Sequence, residues 1–293
     1  MERRTLFPGR LLPALLILPQ LLLTFVFFLW PAGQAIWSSA RREDAFGTTT
    51  KFVGLDNFAD LFADPLYVAA IERTLLFCVC VAGLSMVTAL LLAVFADNEI
   101  RGRAFYRTML IWPYAVAPAM AAVLWVLMLH PQIGLVGAWL NRVGLSWDYK
   151  VDGTQAMVMV ILASAWKQVS YNFIFFVAGL QAIPKTVVEA ARMDGSRGFY
   201  RFRTIVLPLL MPTVFFLLVV DLVYAAFDTF ATVFALTGGG PGQSTQTLVM
   251  KVYLDGVVNA NIGSSSAQSV VLMLGVVALS ALQFRFLGRK TVA

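Results

Sequence analysis

Long apolar runs separated by short clusters of charge set the pattern of this chain. No charged residue occurs between Arg10 and Arg41. Similar runs cover Thr74–Ala96, Thr108–Leu129, Gln155–Ile183, Ile205–Ala235 and Ser266–Phe286. A membrane-spanning helix needs about 20 mostly apolar residues, whereas a barrel strand needs only about 9–11. Inside lipid the backbone must satisfy its own hydrogen bonds, so runs of this length predict helices. The pattern therefore predicts an all-α, polytopic membrane protein with six transmembrane helices, at about 11–38, 74–96, 108–129, 155–183, 205–235 and 266–286. They form a single transmembrane domain over 1–293. The first run exceeds the roughly 7–15-residue apolar core of a signal peptide, so it reads as a retained helix.

Composition agrees. Hydrophobic residues make up 59% of the 293 and charged residues 13%, against about 45–50% and about 25% in soluble domains. Mean hydropathy is +0.78. These values exclude a soluble enzyme, a collagen-like fibre and a disulfide scaffold.

The net charge of +6 carries topological information, not a sign of nucleic-acid binding. With both termini inside, 14 of the 22 Lys and Arg residues fall on the inner side, among them Arg3, Arg4, Arg10 and Arg101. Seven fall outside, and Lys167 lies within a span. The excess of inner positive charge predicts cytoplasmic N- and C-termini.

Catalytic signatures are absent. The chain has no GxxxxGK[ST] phosphate loop and no GxSxG elbow. His130 with Cys78 and Cys80 cannot build a zinc site alone. The two cysteines, two residues apart on one helix, read as small apolar residues. Transport is favoured over catalysis, with no cofactor in this chain. An ion-coupled secondary transporter using Lys167, Asp221 and Asp228, and a membrane-embedded enzyme, are the competing classes.

The loop between the fourth and fifth spans is the most informative stretch. Pro184 suits a helix start. Val187, Val188 and Ala191 place apolar groups on one side of a short helix, and Gly195 suits its left-handed end. Arg197, Phe199, Tyr200, Arg201 and Phe202 begin a second helix. Such an amphipathic helix either docks on a partner or lies among lipid headgroups. Glu189-Ala190-Ala191, Gly195 and, nine residues on, Ile205-x-Leu207-Pro208 resemble the signature loop of permease subunits in binding-protein-dependent ABC importers. That resemblance implies a type I importer permease fold. It implies that Glu189, Ala190, Ala191, Asp194 and Gly195 form the coupling site for a separate ATPase. It also implies a second permease, two ATPase subunits carrying ATP and Mg²⁺, and a periplasmic substrate-binding protein.

Further stretches narrow the resemblance to permeases of glycerol-3-phosphate and glycerophosphodiester importers: Trp112–Pro118, Trp166–Phe173, Leu222–Phe230 and Ala267–Met273. Phe52–Phe58 and Gly238–Pro241 are shared by sugar-type permeases in general, so a related sugar-like solute is the alternative cargo. The outer segments 41–73, 131–153 and 238–265 are, by the same resemblance, where the binding protein is received. The first has four basic and six acidic residues, including Asp44.

Charge within the membrane points to the substrate path. A mid-bilayer charge costs at least about 2.5–3.5 kcal/mol unless it is paired or faces water. Lys167 and Asp221 therefore either pair with each other or face the path. Asp221, Tyr224 and Asp228 are spaced for one helix face, as are Lys167, Ser170, Tyr171 and Ile174. Two acids to one base suits hydroxyls or a cationic head group, with Trp166, Tyr171, Tyr224 and Phe227 available for cation–π contact. Lys167 is placed to meet a phosphate as a point charge. Pro113, Pro118, Pro208 and Pro212 interrupt helical hydrogen bonds, as hinges or as static kinks.

Overall fold

The computed structural model describes residues 11–43, 49–97 and 103–290. Arg3, Arg4, Arg10, Asp44 and Arg101 lie outside them. Five described helices are long and apolar enough to cross a membrane, or six if one sharply bent pair counts as a span. The chain gathers into two compact units, Met1–Asp64 with Val252–Met273, and Pro65–Lys251 with Leu274–Ala293.

In the first unit, α1 (Leu11–Thr24) and α2 (Trp30–Ser39) are joined by the π-helical turn Phe25–Leu29. From Leu12 onward, the Leu and Trp side chains of these helices and the Phe side chains of the turn are exposed, an apolar surface of the kind that meets lipid or another chain. Strands β1 (Arg41–Glu43) and β2 (Thr50–Phe52) pair antiparallel, with Arg41 opposite Phe52. Helix α3 (Asp56–Ala63) follows. Its buried Asn57 donates to the carbonyls of Ser39 and Arg41, each at 2.8 Å. One amide thus ties α3 to the end of α2 and to the hairpin. Gln268 donates to Asp255 at 2.6 Å, and Ser265 to the Val252 carbonyl at 2.9 Å.

The second unit is built on α4 (Pro65–Asp97), α5 (Arg103–Ala115), α6 (Pro118–Leu129), α7 (Leu135–Arg142) and α8 (Gly153–Ala182). After these come α9 (Lys185–Met193), α10 (Gly198–Arg201), α11 (Leu207–Val223), α12 (Phe230–Thr237), the start of α13 (Leu248–Tyr253) and the later part of α14 (Ile262–Lys290). Helix α8 starts where the Asp152 side chain accepts from the N–H groups of Thr154 and Gln155, satisfying donors that the first turn leaves free.

Helix α4 packs along α8. Ala82, Ala89 and Ala93 on one and Ala163 and Ala165 on the other are buried, and small side chains let membrane helices approach closely. Gly179 marks the approach of α8 to α11. A Cβ there would lie 2.7 Å from Leu210 Cδ1 and 2.9 Å from Thr213 Oγ1. Gly179→Val is accordingly expected to lose about 1–3 kcal/mol through overpacking, read as a lower melting temperature of the purified complex.

Three expected spans differ in detail. The second starts at Pro65, nine residues early, and takes in Glu72 and Arg73. The third is broken, because α5 and α6 meet at 102°. Ala117, forced extended by the following proline, caps α6, and Pro118 opens it. The fifth is interrupted by π-helical segments at Phe202–Val206 and Tyr224–Asp228, after which Thr229 leads into α12.

Candidate functional site

The core of the second unit has two apolar layers. One contains Phe77, Val81, Met159, Val160 and Val233; the other contains Ala89, Phe173, Phe176, Leu210 and Leu217. In sequence, Ser85, Gln168, Asn172 and Asp221 fall between these sets on α4, α8 and α11, and all four are buried. Asp221 Oδ1 accepts from Gln168 Nε2 at 2.7 Å. Its Oδ2 accepts from Asn172 Nδ2 at 2.6 Å and Ser85 Oγ at 2.9 Å. Asn172 also donates to Ser85 at 3.2 Å. A carboxylate is an acceptor with two oxygens to satisfy, and here both are engaged by donors from two other helices.

The Lys167–Asp221 pair is therefore not formed. Lys167 instead donates to the Val116 carbonyl at 3.0 Å. Val116 lies in the break between α5 and α6, where the backbone loses intrahelical partners. Lipid offers no replacement, and the end of α5 carries the negative end of a helix dipole. The ammonium meets both needs. Gln168 and Asn172, one position on from Lys167 and Tyr171, present the neighbouring face of α8 to Asp221.

The spacing of Asp221, Tyr224 and Asp228 also plays out differently. Asp221 is wholly buried, Tyr224 is half-buried and Asp228 is exposed. The π-helical segment beginning at Tyr224 changes the turn from i→i+4 to i→i+5, which spoils the single-face projection. Asp228 is close enough to Lys167 to interact with it electrostatically. Tyr224 reaches the Ser164 carbonyl at 3.4 Å.

Trp166, Lys167, Tyr171 and Phe227 are half-buried. Trp166 meets Trp125 edge-on at 6.2 Å, and Tyr171 lies between Tyr114 at 5.7 Å and Phe175 at 4.8 Å. With Asp221 enclosed, the accessible charges in this region become one acid, Asp228, and one base, Lys167. The excess of acid that favoured a cationic head group is gone. Sequence reading missed Ser85, Gln168 and Asn172. The available signal was two amides four residues apart on α8, inside an otherwise apolar span.

The second feature is α9. Pro184 precedes it, and Gly195 adopts φ +78° beyond its end. The N–H groups of Asp194 and Ser196 return to the Ala190 and Ala191 carbonyls at 3.0 Å each. Ala191 is buried, whereas Glu189, Ala190, Asp194 and Gly195 are exposed and Met193 is 84% exposed. Ala191 thus seats the helix, and its neighbours offer a surface.

Residues 85–292 match the family of binding-protein-dependent transport system inner membrane components. The chain is 58% identical over 288 residues to the sn-glycerol-3-phosphate transport system permease protein UgpA of Brucella suis biovar 1 (strain 1330), covering 98% of each. Against the protein of the same name from Yersinia pestis bv. Antiqua (strain Antiqua) it is 52% identical, covering 95% of each. Its fold is similar to a chain in the crystal structure of a bacterial alginate ABC transporter in complex with an alginate pentasaccharide-bound periplasmic protein. The TM-score there is 0.78 at 24% identity, over 96% of this chain and 95% of that one.

Proposed function

The chain belongs to the family of binding-protein-dependent transport system inner membrane components, and from that premise we propose that it forms one half of the translocation path of an ATP-driven importer for sn-glycerol-3-phosphate, with glycerophosphodiesters as a second cargo class. It is a multi-pass permease subunit of an ABC transporter. The cargo assignment rests on the names carried by relatives 52–58% identical over nearly the full length.

The observation that carries the mechanism is α9, a short helix with one buried seat and an exposed face. Glu189, Ala190, Asp194 and Gly195 present that face to an ATPase subunit, and Ala191 transmits its movement to the membrane helices. The partners are a second permease, two ATPase subunits holding ATP and Mg²⁺, and a periplasmic binding protein. The chain itself performs no catalysis and holds no cofactor. Both termini are cytoplasmic in this reading, which the charge asymmetry supports.

Cargo passes beside Trp166, Lys167, Tyr171, Tyr224, Phe227 and Asp228, while Asp221 holds the helices together from behind. An ammonium has three N–H donors. One of Lys167's meets Val116, which leaves two for a phosphate oxygen. Lys167→Met is expected to raise the cargo concentration for half-maximal uptake by about tenfold, the equivalent of roughly 1.4 kcal/mol. Lys167→Met also leaves the Val116 carbonyl without its donor and should lower the melting temperature, whereas Asp228→Asn should alter uptake without lowering it. Unchanged uptake kinetics in both variants would remove this face from the path. Uptake by the isolated chain down a proton gradient would instead support a secondary transporter.

A further inference from the structure

An open groove of about 650 Å³ lies where α4 and α8 end beside α9 and α10. Leu91, Phe95, Leu180, Ile183 and Phe202 are among its apolar walls, and Arg192 and Arg201 are its two charged residues. Val188 and Arg192, one turn apart on α9, both line it. Glu189 and Met193 follow them by one position, so they project to a different side of the helix. The exposed face assigned to the ATPase and the groove thus use separate sides of α9.

The position fits a membrane boundary. Helix α8 ends at Ala182, and α9 and α10 are short. Phe199 and Tyr200 are 75% and 68% exposed, as aromatic residues at the lipid–water interface commonly are. Between Lys185 and Arg203 there are five basic residues and two acidic ones. Apolar walls with guanidinium groups at a membrane boundary match a molecule with a hydrocarbon tail and an anionic head. A guanidinium also pairs a phosphate through two parallel N–H bonds.

We propose that this groove is a binding site for an anionic phospholipid. Its acyl chain lies along Leu91 and Phe95, and its phosphate meets Arg192 and Arg201. The bound lipid completes the packing between α4 and the α9–α10 loop, so it supports the helix that the ATPase moves. The inference rests on the membrane-spanning permease reading and does not depend on the cargo.

The test uses the whole complex, purified from membranes of phosphatidylcholine mixed with phosphatidylglycerol and examined by native mass spectrometry. The wild-type complex should retain phosphatidylglycerol in preference to phosphatidylcholine. The double variant Arg192→Gln/Arg201→Gln should bind it on the order of tenfold or more weakly, since each basic group near an anionic head group contributes separately. Arg142→Gln, on α7 and outside the groove, should retain it as the wild type does. Leu91→Trp keeps both arginines but fills the apolar part. It should lose the lipid too, and it decides the matter if the double variant fails to assemble.

Equal retention of the two lipids by the wild type would overturn the proposal. So would full retention by Arg192→Gln/Arg201→Gln or by Leu91→Trp. High-yield crosslinking of a Leu91→Cys variant to the second permease or the ATPase would also overturn it, because protein would then fill the groove. Lipid retention is read without transport, so failure of this site is distinguishable from failure of the functional assignment.

Discussion

Asp221→Ala is expected to prevent accumulation of a stable complex. The carboxylate accepts from Gln168, Asn172 and Ser85, all buried. Removing it leaves donors on two other helices without their acceptor, at about 1–3 kcal/mol for each group stranded in the core. Together these stranded groups represent a large share of the roughly 5–15 kcal/mol by which folded domains are stable. Asp221→Asn should rescue only part of the loss. One of its terminal atoms becomes an NH₂ group facing the NH₂ group of Gln168 or Asn172. The check is the melting temperature and membrane yield of Asp221→Ala, Asp221→Asn and Asp228→Asn, the last of which should behave as the wild type. Wild-type stability in Asp221→Ala would remove the buried layer as a structural determinant.

The apolar spans were legible because the bilayer imposes a length on them, and a run such as 155–183 has no other economical structure in lipid. Helix α9 was legible for a different reason. Proline before it, Gly195 after it and apolar positions on one side each constrain the backbone locally. The break between α5 and α6 was only half legible. Pro118 announces an interruption, but the 102° bend depends on what receives the freed carbonyl of Val116, and that group is Lys167 from a helix 51 residues away in sequence.

The same limit explains the Asp221 misassignment. A lysine and an aspartate in neighbouring spans attract attention as a pair, because charge is scarce in lipid. Helical projection also treated 221–228 as regular. Neither argument contains the π-helical turn at Tyr224–Asp228 or the neutral donors one position round from Lys167. Long-range hydrogen bonding decides which of two adjacent faces receives a buried acid, and sequence spacing cannot supply that.

The second large effect concerns α9. Glu189→Lys is expected to reduce ATP-dependent uptake at least about tenfold, the equivalent of ~1.4 kcal/mol or more of lost coupling. Glu189 is exposed and makes no described ion pair, so the substitution should leave the melting temperature of the permease pair within about 0.5 kcal/mol of the wild type. The loss should appear as ATP hydrolysis that no longer follows the liganded binding protein, or as a complex that sheds its ATPase. Ala191→Leu should differ, because Ala191 is buried. It should lower stability along with transport. Equal uptake by Glu189→Lys and wild type would show that this face does not carry the coupling.

The most direct measurement is site-specific crosslinking from the exposed side of α9. A Met193→Cys variant, at a position 84% exposed in the chain, should join the ATPase subunit in the assembled complex. The proposed coupling predicts that the yield changes when ATP is bound without being hydrolysed. A crosslinker at Met193 that never captures the ATPase in an assembled, transporting complex would contradict the account at its centre.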